Sequence, residues 1–301
     1  MKGKKETAKG KREKNEKDKE SLAIRYREAL MDLLFPLDLS CHICKKPLPR
    51  EQKKVQSLAT KDQKLLQNTG QTRCEDYLCP DCIEEIPWID EPYCKKCSIP
   101  LYDNGIDKIH YEEAILRPLA REKNLCGECA EDSPLDMNLS VCLYQKPIKA
   151  AIYAFKYRDK TYLARVFALM MAKKLRTLSE KDQDFDLILS VPLHKKRLRH
   201  RGYNQADLLA KYLSQELNIP YDSKALSRIK ETKTMNQLSK SQRGPNVQDA
   251  FFLENSRVKS KKILLIDDIY TTGATAKSIA SLLKKHGGSH ITMISIARVV
   301  L

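Results

Sequence analysis

The stretch ILLIDDIYTTGAT, Ile263 to Thr275, decides the fold of the carboxy-terminal half of this 301-residue chain. Its apolar start predicts a buried strand over Lys262 to Ile266, and TTGAT predicts a turn into a helix that begins near Thr275. A strand, a loop and a helix in this order present free backbone N–H groups at the helix start, which suit a phosphate dianion. Gly273 permits close approach of a ligand, and the threonine hydroxyls add hydrogen-bond donors.

Two adjacent carboxylates stand at the end of the predicted strand. Asp267 and Asp268 can each accept hydrogen bonds from a vicinal pair of ribose hydroxyls. The predicted ligands of the 5′-phosphate are the loop residues Thr271, Thr272, Gly273, Ala274 and Thr275. The sequence therefore predicts a site for a ribose 5-phosphate; the alternative is an acidic strand end followed by an ordinary threonine helix cap.

Apolar runs of strand length alternate with helical patterns in the rest of this half. Further strands are predicted over Asp186 to Leu193 and over Ile291 to Ala297. Helical spacing of apolar residues recurs over four ranges: 148–155, 163–170, 206–217 and 276–283. This alternation indicates an α/β fold, a parallel sheet covered by helices on both faces, whose ligands bind beyond the carboxyl ends of the strands.

A basic segment, VPLHKKRLRHRGYNQADLLAKYL, covers residues 191–213. Five cations lie just beyond the end of the strand predicted at Asp186 to Leu193: Lys195, Lys196, Arg197, Arg199 and Arg201. Cationic side chains in this basic loop, together with Mg²⁺, would stabilise the charge of a departing pyrophosphate. A solvated loop and a nucleic-acid patch are the alternatives, and these uses are compatible with one another.

The strand, the two acids and the TTGAT loop resemble the signature of type I phosphoribosyltransferases, which bind phosphoribosyl pyrophosphate. The wider arrangement, with RGYNQA at residues 201–206, is similar to the ComF family of competence proteins over about Leu33 to Leu301. The resemblance implies a type I phosphoribosyltransferase-like sheet with a small zinc-binding domain before it. It also implies that Asp267 and Asp268 are ribose ligands and that Arg228 to Phe252 corresponds to a mobile loop over the ligand.

The same resemblance implies a ligand, a process and a partner. The ligand is phosphoribosyl pyrophosphate with magnesium, the process is DNA uptake in natural transformation, and the partner is a helicase of the uptake machinery. Three functions stay open: phosphoribosyl transfer to an unknown acceptor, binding of single-stranded DNA, and sensing of the ligand without turnover. No general base is evident in the sequence.

Eight of the ten cysteines form four CxxC pairs, namely Cys41 and Cys44, Cys79 and Cys82, Cys94 and Cys97, and Cys126 and Cys129. Each pair is a two-thiolate chelate suited to tetrahedral zinc, so four pairs predict two structural Cys₄ sites. Sequential pairing closes shorter loops than a crossed arrangement, which stays possible. Disulfides, iron–sulfur clusters and redox use are the alternatives.

Two cysteines and four aromatic residues of the Cys-rich part have open roles. Cys74 is a possible substitute ligand, whereas Cys142 is predicted to be a buried apolar residue. Aromatic rings near the chelates could stack nucleic-acid bases, although core packing is the commoner fate of such rings. These rings belong to Tyr77, Trp88, Tyr93 and Tyr102.

Composition divides the chain into three predicted parts. Residues 1–20 hold nine Lys and Arg against five Asp and Glu and predict a disordered basic tail. Residues 21–132 are predicted to form the zinc-binding module and residues 133–301 the phosphoribosyltransferase-like domain. The formal net charge of +16 favours nucleic acid or phosphorylated partners. Without a long apolar run or a signal-peptide core, the sequence predicts a cytoplasmic protein with no membrane span.

Overall fold

The structure is a computed structural model that describes residues 40–48, 72–102, 117–120, 125–126, 129, 133–229, 250–254 and 256–300. The predicted basic tail lies outside these ranges, and so does most of the predicted mobile loop.

The described residues form short elements in the Cys-rich part, followed by alternating strands and helices in the carboxy-terminal half. The strands are β1 (Leu101–Tyr102), β2 (Arg117–Ala120), β3 (Leu125–Cys126), β4 (Met137–Leu143), β5 (Leu187–Ser190), β6 (Leu226–Arg228), β7 (Phe251–Leu253), β8 (Lys262–Tyr270) and β9 (His290–Arg298). The helices are α1 (Pro80–Glu85), α2 (Ile148–Tyr157), α3 (Leu163–Leu175), α4 (Glu180–Gln183), α5 (Lys195–Arg201), α6 (Gln205–Leu217) and α7 (Ala274–Lys285). Short 3-10 turns cover Cys74–Tyr77 and Ser256–Val258.

A parallel sheet with the strand order β4-β9-β8-β5 carries the candidate site. The central strands β8 and β9 pair from Lys262 opposite His290 to Tyr270 opposite Arg298. Smaller pairings stand beside this sheet: β1-β2-β3 in the Cys-rich part and the antiparallel pair β6-β7. The predicted fold class, a parallel sheet flanked by helices with a Cys-rich part before it, is confirmed.

Alternate residues of β8 pack against opposite layers of helices. Leu264 and Ile266 join a buried cluster with α2, α3 and α6, whereas Ile263 and Leu265 join a second buried cluster with α7. This is the period of two that a strand imposes on its side chains. Burial of each such side chain stabilises the fold by about 1.5–3 kcal/mol, so both helix layers are held firmly to the sheet.

The Cys-rich part packs onto both of these layers. Cys41, Cys79 and Cys82 belong to the buried cluster of α2, α3 and α6, whereas Cys94 and Cys126 belong to that of α7. The predicted boundary near residue 133 stays a prediction of where two folding units meet. Among the described residues, no helix combines the length and the apolar character that crossing a bilayer requires.

Two strands of the main sheet differ from the sequence predictions. Strand β8 continues past Ile266 to Tyr270, because its ladder with β9 continues over both aspartates. Strand β4 was not predicted, since the polar residues Asn138 and Ser140 interrupt its apolar pattern. Its Ser140 is accommodated by a side-chain hydrogen bond to Ser295, 2.9 Å away on β9.

Candidate functional site

The two predicted ligand segments meet at one edge of the sheet. Ser190 at the end of β5 is paired with Ile266 of β8, and the Val191 N–H donates to the Ile266 carbonyl at 2.9 Å. The basic segment therefore begins beside the two aspartates of β8, at the carboxyl ends of the strands. This is the position at which parallel α/β sheets bind ligands.

Asp268 forms a largely buried ion pair that the sequence did not predict. Its Oδ1 lies 2.8 Å from the Nζ of Lys156 on α2, and the side chains are only 12% and 16% exposed. Lys156 follows the buried residue Ile152 by four positions, so it flanks the apolar face of its helix. That position was the single sequence signal, and it does not separate Lys156 from a solvent-facing lysine.

Asp267 is partly exposed and has a strongly perturbed acidity. Burial, reinforced by the negative charge of Asp268, raises the pKa of Asp267 to about 7, although the Asp268 N–H and the charges of Lys156 and Arg228 oppose the shift. The Asp268 N–H donates to Asp267 Oδ1 at 2.8 Å. Asp267 therefore changes charge near neutral pH, where a ligand could displace its proton.

The predicted phosphate loop has the backbone of an open helix start. Helix α7 begins at Ala274, one residue before the predicted start, after Gly273 with a φ of +75° and no side-chain cap. The first helical hydrogen bond runs from the Lys277 N–H to the Gly273 carbonyl at 2.8 Å, so the amides before Lys277 have no acceptor within the helix. The loop residues Thr271, Thr272, Ala274 and Thr275 are partly exposed, whereas Gly273 is buried.

Gly273 is required by its neighbour as well as by its backbone conformation. A Cβ atom at this position would lie 2.1 Å from the hydroxyl oxygen of Tyr270 and 2.6 Å from its Cζ. The Tyr270 ring is buried, so it cannot move aside freely. The close approach of strand end and helix start therefore depends on a residue without a side chain.

The basic segment was predicted as a loop, and this prediction is wrong, since residues Lys195 to Arg201 form helix α5. The His194 side chain accepts from the Lys196 N–H, and Gly202, with a φ of +78°, ends the helix. Leu198 is the one apolar residue of this helix, so the segment lacks helical periodicity. The His194 cap and the glycine at its end are the signals that indicate a helix here.

The five predicted cations are presented in different ways by α5. Lys195, Lys196 and Arg199 are exposed, whereas Arg197 and Arg201 are partly buried. Arg201 donates to the hydroxyl of Tyr157 at 2.9 Å and to the Gln205 side chain at 3.0 Å. Arg201 is therefore directed towards α2, and Arg197 is the cation of this helix that approaches the strand ends.

Arg228 at the end of β6 joins the site from a third segment and was not among the predicted ligands. Burial lowers the pKa of Arg228; the charge of Arg197 adds to this lowering and that of Asp267 opposes it, so Arg228 is a neighbour of both groups. The Ile229 N–H donates to the Ala250 carbonyl at 2.9 Å, which holds the two ends of the predicted mobile loop together. Residues 230–249 of that loop lie outside the described part of the chain.

Much of the RGYNQA segment holds the basic helix in place. Asn204 caps α6 and donates to the Val191 carbonyl at 3.0 Å and to Asp207 at 2.9 Å. The Tyr203 hydroxyl donates to the Phe155 carbonyl of α2. These bonds join the end of β5, the start of α6 and helix α2, so the segment positions the site by connecting its supports.

The structure brings the eight predicted metal ligands together as two groups of four, with sequential pairing. One group is Cys41, Cys44, Cys79 and Cys82, and the other is Cys94, Cys97, Cys126 and Cys129. All ligand atoms of a group lie within 4.8 Å of one another. Sulfur–sulfur distances of 3.5 Å (Cys44 to Cys79) and 3.7 Å (Cys97 to Cys126) approach the ~3.8 Å of a tetrahedron with 2.3 Å metal–sulfur bonds. Both clusters could therefore hold a metal ion.

Thiolate formation is favoured at one cysteine of each cluster. Burial acts to raise the pKa of Cys41, but hydrogen bonds from the backbone of Cys44 and Cys79 outweigh it and lower that pKa to about 7. In the second cluster, hydrogen bonds from Cys129 and Cys97 lower the pKa of Cys94. A thiolate is the form that binds a metal ion.

The second cluster adjoins the phosphate loop. Its thiolates are close enough to raise the pKa of the Tyr270 hydroxyl, together with burial, while the charge of Arg298 opposes the shift. The guanidinium of Arg298 lies 5.3 Å from the Tyr270 ring and acts to lower the pKa of Cys97. Tyr270 therefore lies between the second cluster and Gly273.

The remaining cysteines and aromatic rings of the Cys-rich part have structural environments. Cys74 is buried outside both clusters and bonds to the Glu75 carboxylate at 3.2 Å, whereas Cys142 is fully buried, as predicted. The rings of Tyr77 and Tyr93 are buried, and Trp88 is partly buried with its N–H bonded to the Ile83 carbonyl. The side chain of Tyr102 lies outside the described part. Core packing is thus the role of the aromatic rings that the structure describes here.

Known relatives of the chain are competence proteins. It is 31% identical over 226 residues to Competence protein F of Haemophilus influenzae, and the match covers 73% of this chain and 90% of that protein. The chain belongs to the ComF family of competence proteins. Further ComF-like relatives are the DNA utilization protein YhgH of Escherichia coli K12, with 32% identity over 69% of this chain and 85% of that protein, and the Competence protein ComFC of Streptococcus pneumoniae, with 24% identity over 73% and 87%. No family model matches the chain.

Solved structures similar to this ComF-family chain include proteins named as a phosphoribosyltransferase and as an enzyme of purine biosynthesis. A purine phosphoribosyltransferase from Pyrococcus horikoshii Ot3 matches with a TM-score of 0.29 and 17% identity over 46% of this chain and 87% of that chain. The allosteric regulatory enzyme of purine biosynthesis matches with a TM-score of 0.32 and 18% identity over 45% and 26%.

Proposed function

We propose that this ComF-family protein binds phosphoribosyl pyrophosphate with Mg²⁺ and acts in the uptake of DNA during natural transformation. One observation supports phosphoribosyl pyrophosphate as the ligand: an adjacent carboxylate pair and an uncapped helix start after a glycine lie within one strand–loop–helix unit. The names of the relatives, competence proteins and DNA utilization proteins, support the process.

The two aspartates divide the work of holding the ribose. Lys156 orients Asp268 and balances its charge. The other carboxylate oxygen can therefore accept a hydrogen bond from a ribose hydroxyl, and no unpaired buried charge is left. Asp267 gains a donor when a hydroxyl replaces its proton. The loop from Thr271 to Thr275 then receives the 5′-phosphate on backbone amides and hydroxyls.

The pyrophosphate group suits the cations beside Asp267. Arg228 is a neighbour of both Arg197 and Asp267, and two like charges near one another favour an anion between them. The exposed lysines of α5, Lys195 and Lys196, and Arg199 add positive potential at this edge. Mg²⁺ would come with the ligand, Asp267 and Asp268 are the residues that would hold it, and its charge would offset part of the negative charge of the pyrophosphate.

Two zinc ions are the proposed occupants of the cysteine clusters. Four thiolates with tetrahedral spacing leave no open coordination position, so their role is structural. Eight reduced thiolates suit a reducing compartment, which supports a cytoplasmic location. Single-stranded DNA and a helicase of the uptake machinery are the proposed macromolecular partners.

Calorimetric titration with phosphoribosyl pyrophosphate and Mg²⁺ tests the ligand. We expect saturable binding that Asp267→Asn combined with Asp268→Asn weakens by roughly 10- to 100-fold, because Asn still accepts a hydrogen bond but lacks the charge that strengthens each of the two bonds by about 1 kcal/mol. Glu180→Gln, an exposed charge change on α4, serves as the matched control and should leave binding unchanged. Equal affinity in the aspartate variant and the control would show that the ligand site lies elsewhere.

Product analysis then separates transfer from sensing. The protein is incubated with the donor, Mg²⁺ and a panel of nucleobases, and pyrophosphate release is measured. Release that depends on one acceptor identifies a phosphoribosyltransferase. Donor that binds at the aspartates but is never consumed identifies a sensor.

A further inference from the structure

We propose that an exposed stripe on helix α2, formed by Lys149, Tyr153 and Tyr157 and extended by Arg158 and Arg201, is the contact surface for single-stranded DNA. We call it the tyrosine stripe. It rests on the proposed role in DNA uptake, and it names where the strand binds and through which groups.

Two aromatic rings of the tyrosine stripe face solvent. Tyr153 and Tyr157 are 51% and 53% exposed, stand one helical turn apart, and have ring centroids 5.1 Å from one another. The inner face of the same helix already supplies its buried residues, such as Ile152 and Phe155. Core packing therefore does not explain the exposed pair, in contrast to the buried rings of Tyr77 and Tyr93.

Cations accompany both rings. The Arg158 guanidinium lies 5.6 Å from the Tyr153 ring centroid, and that of Arg201 lies 4.9 Å from the Tyr157 centroid. The hydrogen bond from Arg201 to the Tyr157 hydroxyl, 2.9 Å long, fixes the second ring relative to α5. Lys149 is exposed one turn before Tyr153. Among the described residues, no carboxylate forms a salt bridge with Lys149, Arg158 or Arg201, so their charges are available to phosphates.

Exposed rings alternating with cations fit an unpaired nucleic-acid strand. Unpaired bases offer faces that stack on aromatic rings, whereas the bases of a duplex are stacked on one another. The nine residues from Lys149 to Tyr157 span about 12 Å of helix, enough to contact more than one nucleotide of a strand. The basic surface of α5 then continues the path for the phosphates through Lys195, Lys196 and Arg199.

The tyrosine stripe adjoins the proposed ligand site through its own helix. Lys156, which pairs with Asp268, stands between Tyr153 and Tyr157 in the sequence of α2. Arg201, at the other end of the stripe, closes the helix that carries Arg197. A bound strand would therefore lie on the outside of the two helices that line the pyrophosphate side.

Fluorescence anisotropy with a labelled oligothymidine tests the stripe on the full chain. Tyr153→Ala combined with Tyr157→Ala should weaken binding by roughly 30-fold or more, since base–aromatic stacking is lost at two positions. The double Phe variant keeps both ring faces and should bind within about twofold of the original protein. Phe252→Ala, which removes an equally exposed ring on β7, is the matched control and should have no effect.

Salt and ligand titrations complete the design. Lys149→Gln and Arg158→Gln should each reduce the salt dependence of DNA binding by about one ion. Titration with phosphoribosyl pyrophosphate should be unchanged in the double Ala variant, which shows that it remains folded.

The outcomes separate this proposal from the proposed function. Full DNA affinity in the folded double Ala variant overturns the tyrosine stripe but leaves the DNA role in place, and a loss of transformation in that variant would then point to a protein partner. Absence of DNA binding by the unsubstituted protein overturns both the tyrosine stripe and the proposed binding of single-stranded DNA. Equal, tyrosine-dependent affinity for duplex DNA overturns the stacking mechanism.

Discussion

At the scale of single residues, the carboxylate pair shows how neighbours assign different roles to identical side chains. Asp268 has a lysine partner whose Nζ lies 2.8 Å away. Asp267 has no such direct ion pair among the described residues, and burial together with the Asp268 charge raises its pKa to about 7. In the proposed function, Asp268 would be a fixed acceptor, whereas Asp267 would exchange a proton for a ligand.

This difference predicts a pH dependence of ligand binding. Because ribose hydroxyls donate to the ionised form, affinity for phosphoribosyl pyrophosphate should rise about fivefold between pH 6 and pH 7, reach about tenfold by pH 8 and level off above that. Calorimetry at pH 6 in buffers of different ionisation enthalpy should show release of nearly one proton. Asp267→Asn should remove this release, leaving only the contribution of the ligand's own phosphate, whose second pKa is about 6.

The same raised pKa sets the sign of a stability effect. The folded protein keeps a proton on Asp267 that the unfolded chain has already lost above its ordinary pKa near 3.8. The free energy of unfolding contributed by this group therefore falls as pH rises from about 4 to about 7. In the ligand-binding experiment, proton release that is unchanged by Asp267→Asn would assign the titrating group to another residue.

At the scale of secondary-structure elements, the sequence predicted the strands and helices that are indicated by residues close together in the chain. The strand β8 and the helix α7 follow from consecutive apolar residues, a glycine and helical spacing. The basic helix α5 and strand β4 were missed for opposite reasons. Helix α5 has almost no apolar face, so its capping interactions define where it begins and ends. Strand β4 contains buried polar residues, and their hydrogen-bond partners lie on β9 and in the Cys-rich part.

The junction of β8 and α7 predicts a specific cost for Gly273→Ala. Both the positive φ and the 2.1 Å approach to the Tyr270 hydroxyl oppose a Cβ atom, so we expect a loss of about 2–4 kcal/mol in the free energy of unfolding. Ligand affinity should also fall, because relief of the clash moves the helix start. Denaturant unfolding and calorimetry measure the two effects.

Gly202→Ala is the matched control for this prediction. Its φ of +78° is nearly the same, but nothing lies within 4 Å of the added Cβ atom. It should cost about 1–2 kcal/mol from the backbone alone. Equal losses at the two glycines would show that the Tyr270 contact contributes nothing.

At the scale of the whole molecule, the two cysteine clusters are not equivalent. The first packs with α2, α3 and α6, whereas the second packs with α7 and reaches the phosphate loop through Tyr270 and Arg298. Two guanidinium nitrogens of Arg298 are buried without a hydrogen-bond partner within the described structure. Their position beside the second cluster would balance the negative charge of four thiolates around a metal ion.

This asymmetry predicts that loss of metal from the second cluster weakens ligand binding more than loss from the first. Cys126→Ser should lower affinity for phosphoribosyl pyrophosphate by roughly fivefold or more, whereas Cys79→Ser should lower thermal stability with a smaller effect on affinity. Metal content by atomic emission and affinity by calorimetry are measured on both variants. Equal effects on affinity would argue against a path through Tyr270.

The sequence by itself determined the features that depend on neighbouring residues: the alternation of strands and helices, the carboxylates beside the glycine loop, and the two-thiolate chelates. The tertiary structure decided the contacts between distant segments, including the Lys156 pair with Asp268, the approach of Arg228 to Arg197 and to Asp267, and the exposure of the tyrosine stripe. The physical reason is range. Backbone preference and periodicity act within a few residues, whereas charge pairing and burial depend on how the helices are laid across the sheet.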